Sequence, residues 1–164
     1  MRRFHAMNEP AFVWPVRGLY AITDGASSPQ ALVDQVVAWI AGGARVVQYR
    51  DKGGDAGRRL EEGQALRTVC RAAGVPLLIN DDVALALAIR ADGVHLGRDD
   101  ADLRMARACL GSRALIGVSA YADLARAREA VVNRAVGVGG ALLHGILRHP
   151  LAAALARRGH GRLA

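Results

Sequence analysis

The chain has 164 residues, 52% hydrophobic and 4% aromatic, with 22 basic and 15 acidic side chains and a formal net charge of +7. That length and apolar content suit one globular domain with a sizeable core, and no apolar run reaches the ~18 residues of a membrane-spanning helix. The charge is lopsided: residues 131–164 hold five arginines and no acid, while 1–130 hold 17 basic against 15 acidic groups, which argues against a general nucleic-acid surface on the main body.

Residues 1–17 have no period and contain Pro10 and Pro15, so they read as a tail. Arg2 and Arg3 are not followed by an apolar stretch and a small-residue cleavage site, so no signal peptide is expected. Gly18–Asp24 is a first strand ending in an acid. Ser28 then caps a helix that has Pro29 at its first position and Leu32, Val36, Trp39 and Ile40 on one face, and Gly42-Gly43 ends it. A second strand runs from Ala44 to Asp51, and a loop with three glycines follows. The next helix, Arg58–Ala73, is expected to bury Leu60, Leu66, Val69 and Cys70. Leu77–Asn80 is the third strand, and Asp81-Asp82 cap a short helix over Val83–Arg90. Gly93–Gly97 is the fourth strand and Ala101–Leu110 a helix. Ala114–Ser119 is the fifth strand and Ala122–Asn133 a helix. Val136–Gly140 is the start of a sixth strand with no polar cluster after it. Cys70 and Cys109 fall inside helices, in no C-x-x-C pair, and read as buried reduced thiols of a cytoplasmic protein.

Apolar strands alternating with helices predict an α/β protein with a parallel sheet. Polar groups collect just after the strands, where both the (β/α) barrel and the doubly wound sheet place their sites. No G-x-G-x-x-G follows the first strand, which favours the barrel. A full TIM barrel needs roughly 200 residues or more, so the expected fold is an incomplete (β/α)8 barrel of five to six units. The domain reading is a tail over 1–17, a partial barrel over 18–133 and a divergent basic tail over 134–164. The first and fifth strands would then be open edges, an invitation to self-association.

Three constellations carry chemistry. The first is Gln48, Arg50 and Lys52, which alternate onto one face if the strand continues through them. Lys52 is the only lysine among the 22 basic residues; an amide and two cations in a row suit a polyanion, with the ammonium as a point charge. The second is the carboxylates after the third and fourth strands. Asp81 and Asp100, with Asp82 and Asp99 as competitors, suit a Mg²⁺ shared with phosphate oxygens, or are simply helix caps. The third is Ser119, for which no histidine stands at a suggestive position; it reads as a hydroxyl donor rather than a nucleophile. His95 is expected to pack on the barrel wall or satisfy a local hydrogen bond. A phosphate-rich substrate, magnesium and no acid–base dyad together fit departure of a diphosphate.

Five ordered motifs carry a family resemblance: Gly18–Asp24, Gly42–Lys52, Pro76–Asp82, Gly93–Asp100 and Ile116–Ser119. They are spaced 32 residues from Gln48 to Asn80, 19 from Asp81 to Asp100 and 19 from Asp100 to Ser119. The chain resembles the thiamine-phosphate synthase family. The resemblance implies a TIM barrel that joins a hydroxymethylpyrimidine diphosphate to a thiazole phosphate and releases diphosphate. It implies that Gln48, Arg50, Lys52 and Asn80 hold the pyrimidine diphosphate, that Ser119 contacts the pyrimidine, and that Asp81 and Asp100 bind Mg²⁺. Arg98 stands where the family usually has Gln. From Val131 onward the family's Phe-x-x-Thr-x-Lys loop and later glycine motifs are not matched, and Arg148 is not carried over. The acid-free ending reads as a lost or frame-shifted C-terminal part, with low turnover expected. A thiazole tautomerase, an inactive phosphate-binding fragment and a basic nucleic-acid module are the competing readings.

Overall fold

The computed structural model describes residues 18–24, 28–97, 102–121, 123–132, 135 and 137–139. Six strands alternate with five helices: β1 (Leu19–Ile22), α1 (Pro29–Ala41), β2 (Ala44–Tyr49), α2 (Ala56–Ala72), β3 (Leu77–Asn80), α3 (Val83–Ile89), β4 (Gly93–Leu96), α4 (Leu103–Leu110), β5 (Leu115–Ser119), α5 (Leu124–Val132) and β6 (Gly137–Gly139). Every neighbouring pair is parallel and the order is β1-β2-β3-β4-β5-β6. This is the sequential, unreversed order of a barrel wall rather than a doubly wound sheet. The wall is curved: Tyr20 on β1 lies 3.3 Å from His95 Nδ1 on β4 although two strands stand between them.

Alternation sorts the strand residues into two layers. Val47, Tyr49, Leu77, Ile79, Val94, Leu96, Ile116 and Val118 face the helices and join Leu32, Val36, Leu66, Cys70 and Ala106 in one buried cluster. Val46, Leu78 and Leu115, with Tyr20 against them, fill the inner face. The expected sixth strand is present, so β6 covers β5 and the ends of the described sheet are β1 and β6. The N-terminal tail reading, 1–17, lies outside the described residues, and so does the basic tail reading, 134–164, apart from residue 135 and 137–139.

Helix starts follow the caps. Ser28 Oγ accepts from Ala31 N at 3.2 Å, with Pro29 at the first position as expected. α2 starts earlier than Arg58, because Asp55 accepts from Arg58 N at 2.9 Å and serves as its cap. α2 also turns a different face inward: Leu60 is exposed, while Glu62, Gly63, Leu66 and Cys70 are buried. Stepping back from Cys70 and Leu66 by four residues lands on Glu62, not Leu60. Gly63 lets α3 approach, since a Cβ there would stand 3.0 Å from Ile89 Cδ1. Cys109 is exposed, against expectation. Cys70 is buried, and desolvation, with the nearby Asp92 charge, pushes its thiol up to about 12, so it stays protonated and inert. Among the described residues no helix is long and apolar enough to cross a membrane.

Of the two aspartates after β3, only Asp82 caps α3: its Oδ1 accepts from Leu85 N at 2.8 Å and its Oδ2 pairs with Arg59 Nη2 at 3.0 Å. Asp82→Ala is expected to cost about 1–2 kcal/mol, read as a lower urea midpoint at unchanged slope. Asp82→Asn should recover most of the loss, because Asn caps as well as Asp. An equal loss in both variants would assign the effect to the Arg59 pair instead.

Candidate functional site

The carboxyl ends of the strands bring four of the expected site residues, Gln48, Asn80, Asp81 and Ser119, to one mouth, together with His95. Gln48 closes the inner row of β2 and is 2% exposed. Asn80 is the last residue of β3, His95 sits on β4 beside it in register, and Ser119 ends β5. One chain of hydrogen bonds links them. Asn80 Nδ2 donates to Asp81 Oδ2 at 2.5 Å. Gln48 Nε2 donates to Asn80 Oδ1 at 2.5 Å. Tyr20 Oη donates to Gln48 Oε1 at 2.9 Å. His95 Nδ1 lies 3.3 Å from Tyr20 Oη, and His95 Nε2 lies 2.9 Å from Ser119 Oγ.

The donor inventory gives this chain a direction. The Asp81 carboxylate only accepts, which turns the Asn80 amide nitrogen toward it, and Gln48 follows in the same sense. Tyr20 has one proton, spent on Gln48. Burial pushes the Tyr20 phenol well above its ordinary value, so that proton stays. Tyr20 Oη therefore accepts from His95 Nδ1–H, and in neutral His95 the bare Nε2 accepts the Ser119 hydroxyl proton.

Asp81 is held at both oxygens. Its Oδ1 accepts from Gly97 N at 2.9 Å, and its own N–H donates to His95 O at 2.8 Å. Its φ is +63°, a conformation non-glycine residues rarely adopt and one that clusters at functional positions. Gly97 is gripped from the other side too, since its carbonyl accepts from Arg126 Nη2 of α5, whose Nε also donates to Ser119 O at 3.0 Å. Gly117 makes room for the imidazole: a Cβ there would stand 2.5 Å from His95 Nδ1.

The cationic row differs from expectation. β2 ends at Tyr49, not Asp51. Beyond it the Thr23 side chain replaces the ladder, Oγ1 accepting from Arg50 N at 2.8 Å and donating to Arg50 O at 3.0 Å. Arg50 stays at the mouth and pairs at 3.3 Å with the well-exposed Asp24, a contact solvent makes weak. Lys52 lies past the strand on the exposed loop before α2. Asp99 and Asp100 lie outside the described residues. Among the described residues no group of three or more His, Cys, Asp or Glu is placed to hold a metal ion.

Ser119 does have a histidine partner. The β4–β5 register sets His95 opposite Gly117, two residues short of Ser119, and the ring spans that step. The other ring nitrogen lies 3.3 Å from the Tyr20 phenol oxygen. Tyr20 escaped the sequence reading. Its one available signal was its place two residues before Ile22 and four before Asp24 on the inner face of β1.

A family model described as thiamine monophosphate synthase matches residues 19–141. The chain belongs to that family. It is 52% identical over 116 residues to a thiamine-phosphate synthase of Chromobacterium violaceum, covering 71% of this chain and 56% of the relative. It is 50% identical over 115 residues to one from an Azoarcus species, covering 70% and 56%. The fold of thiamine phosphate pyrophosphorylase from Pyrococcus furiosus superposes with a TM-score of 0.64 at 32% identity, over 74% of this chain and 58% of that one. The chain thus spans about half the length of the relatives it matches.

Proposed function

We propose that the mouth holds a hydroxymethylpyrimidine diphosphate and serves its condensation with a thiazole phosphate, giving thiamine phosphate and diphosphate in the cytoplasm. The observation that carries this reading is the convergence of Gln48, Asn80, Asp81 and Ser119 on one hydrogen-bonded chain beside Arg50. Each amide of that chain uses one of its two N–H bonds on the next residue, which leaves donors for a heterocycle. Arg50 and Lys52 supply charge for the diphosphate, and the exposed Asp24 is a partner that a stronger anion displaces from Arg50.

Magnesium fits Asp81, a hard-oxygen donor whose two oxygens each accept one N–H and keep lone pairs. Asp100 is the second proposed ligand. A bound magnesium ion supplies positive charge against the leaving diphosphate. The residues of this chain position the pyrimidine and grip the phosphates while the carbon–oxygen bond breaks, and the thiazole nitrogen captures the resulting pyrimidine-methyl cation.

Calorimetry with the pyrimidine diphosphate alone, followed by a thiamine phosphate assay with both substrates and Mg²⁺, tests the reading. We expect binding without the thiazole partner and slow turnover, with Asn80→Ala weakening binding by about 10-fold as one amide contact is lost. No binding of the first substrate overturns the reading.

A further inference from the structure

One polar cluster, buried at Glu62 and open to solvent at Arg58, lies outside the mouth on the helix-facing side of β2. Glu62 of α2 is 3% exposed, yet it is a carboxylate. Its Oε2 accepts from Tyr49 Oη at 2.6 Å and its Oε1 accepts from Arg58 Nη1 at 3.0 Å. Arg58 Nη2 reaches on to Asp51 Oδ2 at 2.7 Å, and Asp51 Oδ1 accepts from Gly53 N at 3.1 Å. Burial alone would push the Asp51 carboxyl up, but the hydrogen bonds from Arg58 and Gly53 and the charges of Arg58 and Arg59 outweigh it and hold the carboxyl below its usual range. Gly53 leaves room for this packing: a Cβ there would stand 2.5 Å from Arg58 Nη2 and 3.2 Å from both Asp51 oxygens, so the guanidinium would have to shift.

The Arg58 ion pairs are weak as stabilisers, because that side chain is 35% exposed and solvent screens the attraction. What they do is fix place. Asp51 and Gly53 are the two chain neighbours of Lys52, and both are anchored to Arg58 through one carboxylate. Lys52 itself has no ion-pair partner among the described residues. A long, flexible ammonium side chain on an exposed loop would otherwise lose much of its binding energy to ordering.

We propose that Arg58, held by Glu62 and Asp51, is a positioning residue that fixes the loop presenting the Lys52 ammonium to a diphosphate. This rests on the reading above, in which Lys52 meets the diphosphate.

Calorimetry of the full chain with inorganic diphosphate and Mg²⁺, on Lys52→Ala, Arg58→Gln and the double variant, tests it. Lys52→Ala and Arg58→Gln should each weaken binding about 10-fold, and Arg58→Gln should add under about 2-fold once Lys52 is gone. Gly53→Ala, which displaces the guanidinium without changing any charge, should reproduce the Arg58→Gln loss and the same coupling to Lys52. Because it keeps Arg58, it also serves if Arg58→Gln does not fold. Equal losses with and without Lys52, or unchanged binding in Gly53→Ala, overturn the inference while leaving the diphosphate site standing. Unchanged binding in Lys52→Ala overturns the placement of diphosphate at Lys52 and the inference with it.

Discussion

Gly93→Ala should be the most damaging single-methyl change in the described barrel, lowering the melting temperature by roughly 6–12 °C or more. A Cβ at Gly93 would stand 1.7 Å from Leu115 O, 2.6 Å from Leu115 C and 2.8 Å from Leu115 N. All three are backbone atoms, so no rotamer change relieves the overlap. Gly93 pairs in register with Leu78 on one side and Leu115 on the other, so the methyl would wedge β4 from β5 in the middle of the sheet. Overpacking of flexible cores costs about 1–3 kcal/mol; a rigid backbone neighbour sets the upper end as the floor here. At about 2–4 °C per kcal/mol for a chain of this size, 3 kcal/mol or more gives the stated shift. Gly54→Ala is the control, since nothing lies within 4 Å of a Cβ there, and it should melt with the parent. Thermal unfolding followed by circular dichroism decides, and a Gly93→Ala protein melting within a few degrees of the parent would sink the prediction.

Much of the fold was legible in the pattern of residues, because its signals are local. Apolar runs bounded by Gly, Pro and Asp mark strands buried on both faces, and Ser28-Pro29 marks a helix start whatever the tertiary context. The errors arose where a tertiary contact overruled a local rule. β2 stops at Tyr49 because the Thr23 hydroxyl takes over the Arg50 backbone. Glu62 is buried where Leu60 was expected because Tyr49 and Arg58 satisfy its carboxylate. The same limit applies at the mouth. Asp81 and Asp82 look alike in sequence, and only geometry shows that Asp82 is spent on capping α3. Tyr20 and His95 lie 75 residues apart, and nothing local joins a tyrosine on the first strand to a histidine on the fourth until the sheet curls. Gln48, Arg50 and Lys52 carried a chemical signal of their own, a run of polar groups at the end of an apolar strand.

Asp81→Asn is expected to reverse the whole hydrogen-bond chain while leaving the fold intact. The carboxylate accepts at both ends, from Gly97 N and from Asn80 Nδ2. An amide has one acceptor end, and the backbone N–H of Gly97 cannot turn, so the new oxygen stays on Gly97 and the new NH₂ faces Asn80. Asn80 must then flip to offer its oxygen, which sets its nitrogen against Gln48 and flips Gln48 in turn. Gln48 now donates to Tyr20 Oη. The phenol proton, freed from Gln48, is redirected to His95 Nδ1, and His95 moves its own proton to Nε2, where it donates to Ser119 Oγ. Each reversal preserves the bond count, so the cost in stability should stay within about 1–1.5 kcal/mol. The cost in binding should be large. A negative charge proposed to meet magnesium is gone, and the free N–H and lone-pair directions of Gln48, Asn80 and Ser119 are all inverted toward the pyrimidine. Two or three mismatched polar contacts at about 1–1.5 kcal/mol each predict a loss of roughly 100-fold or more for the pyrimidine diphosphate. Nitrogen-15 chemical shifts of the His95 ring report the tautomer directly: protonated at Nδ1 in the parent at neutral charge, at Nε2 in Asp81→Asn. An unchanged tautomer would show that the chain does not transmit the change at Asp81 as far as Ser119, whatever happens to binding.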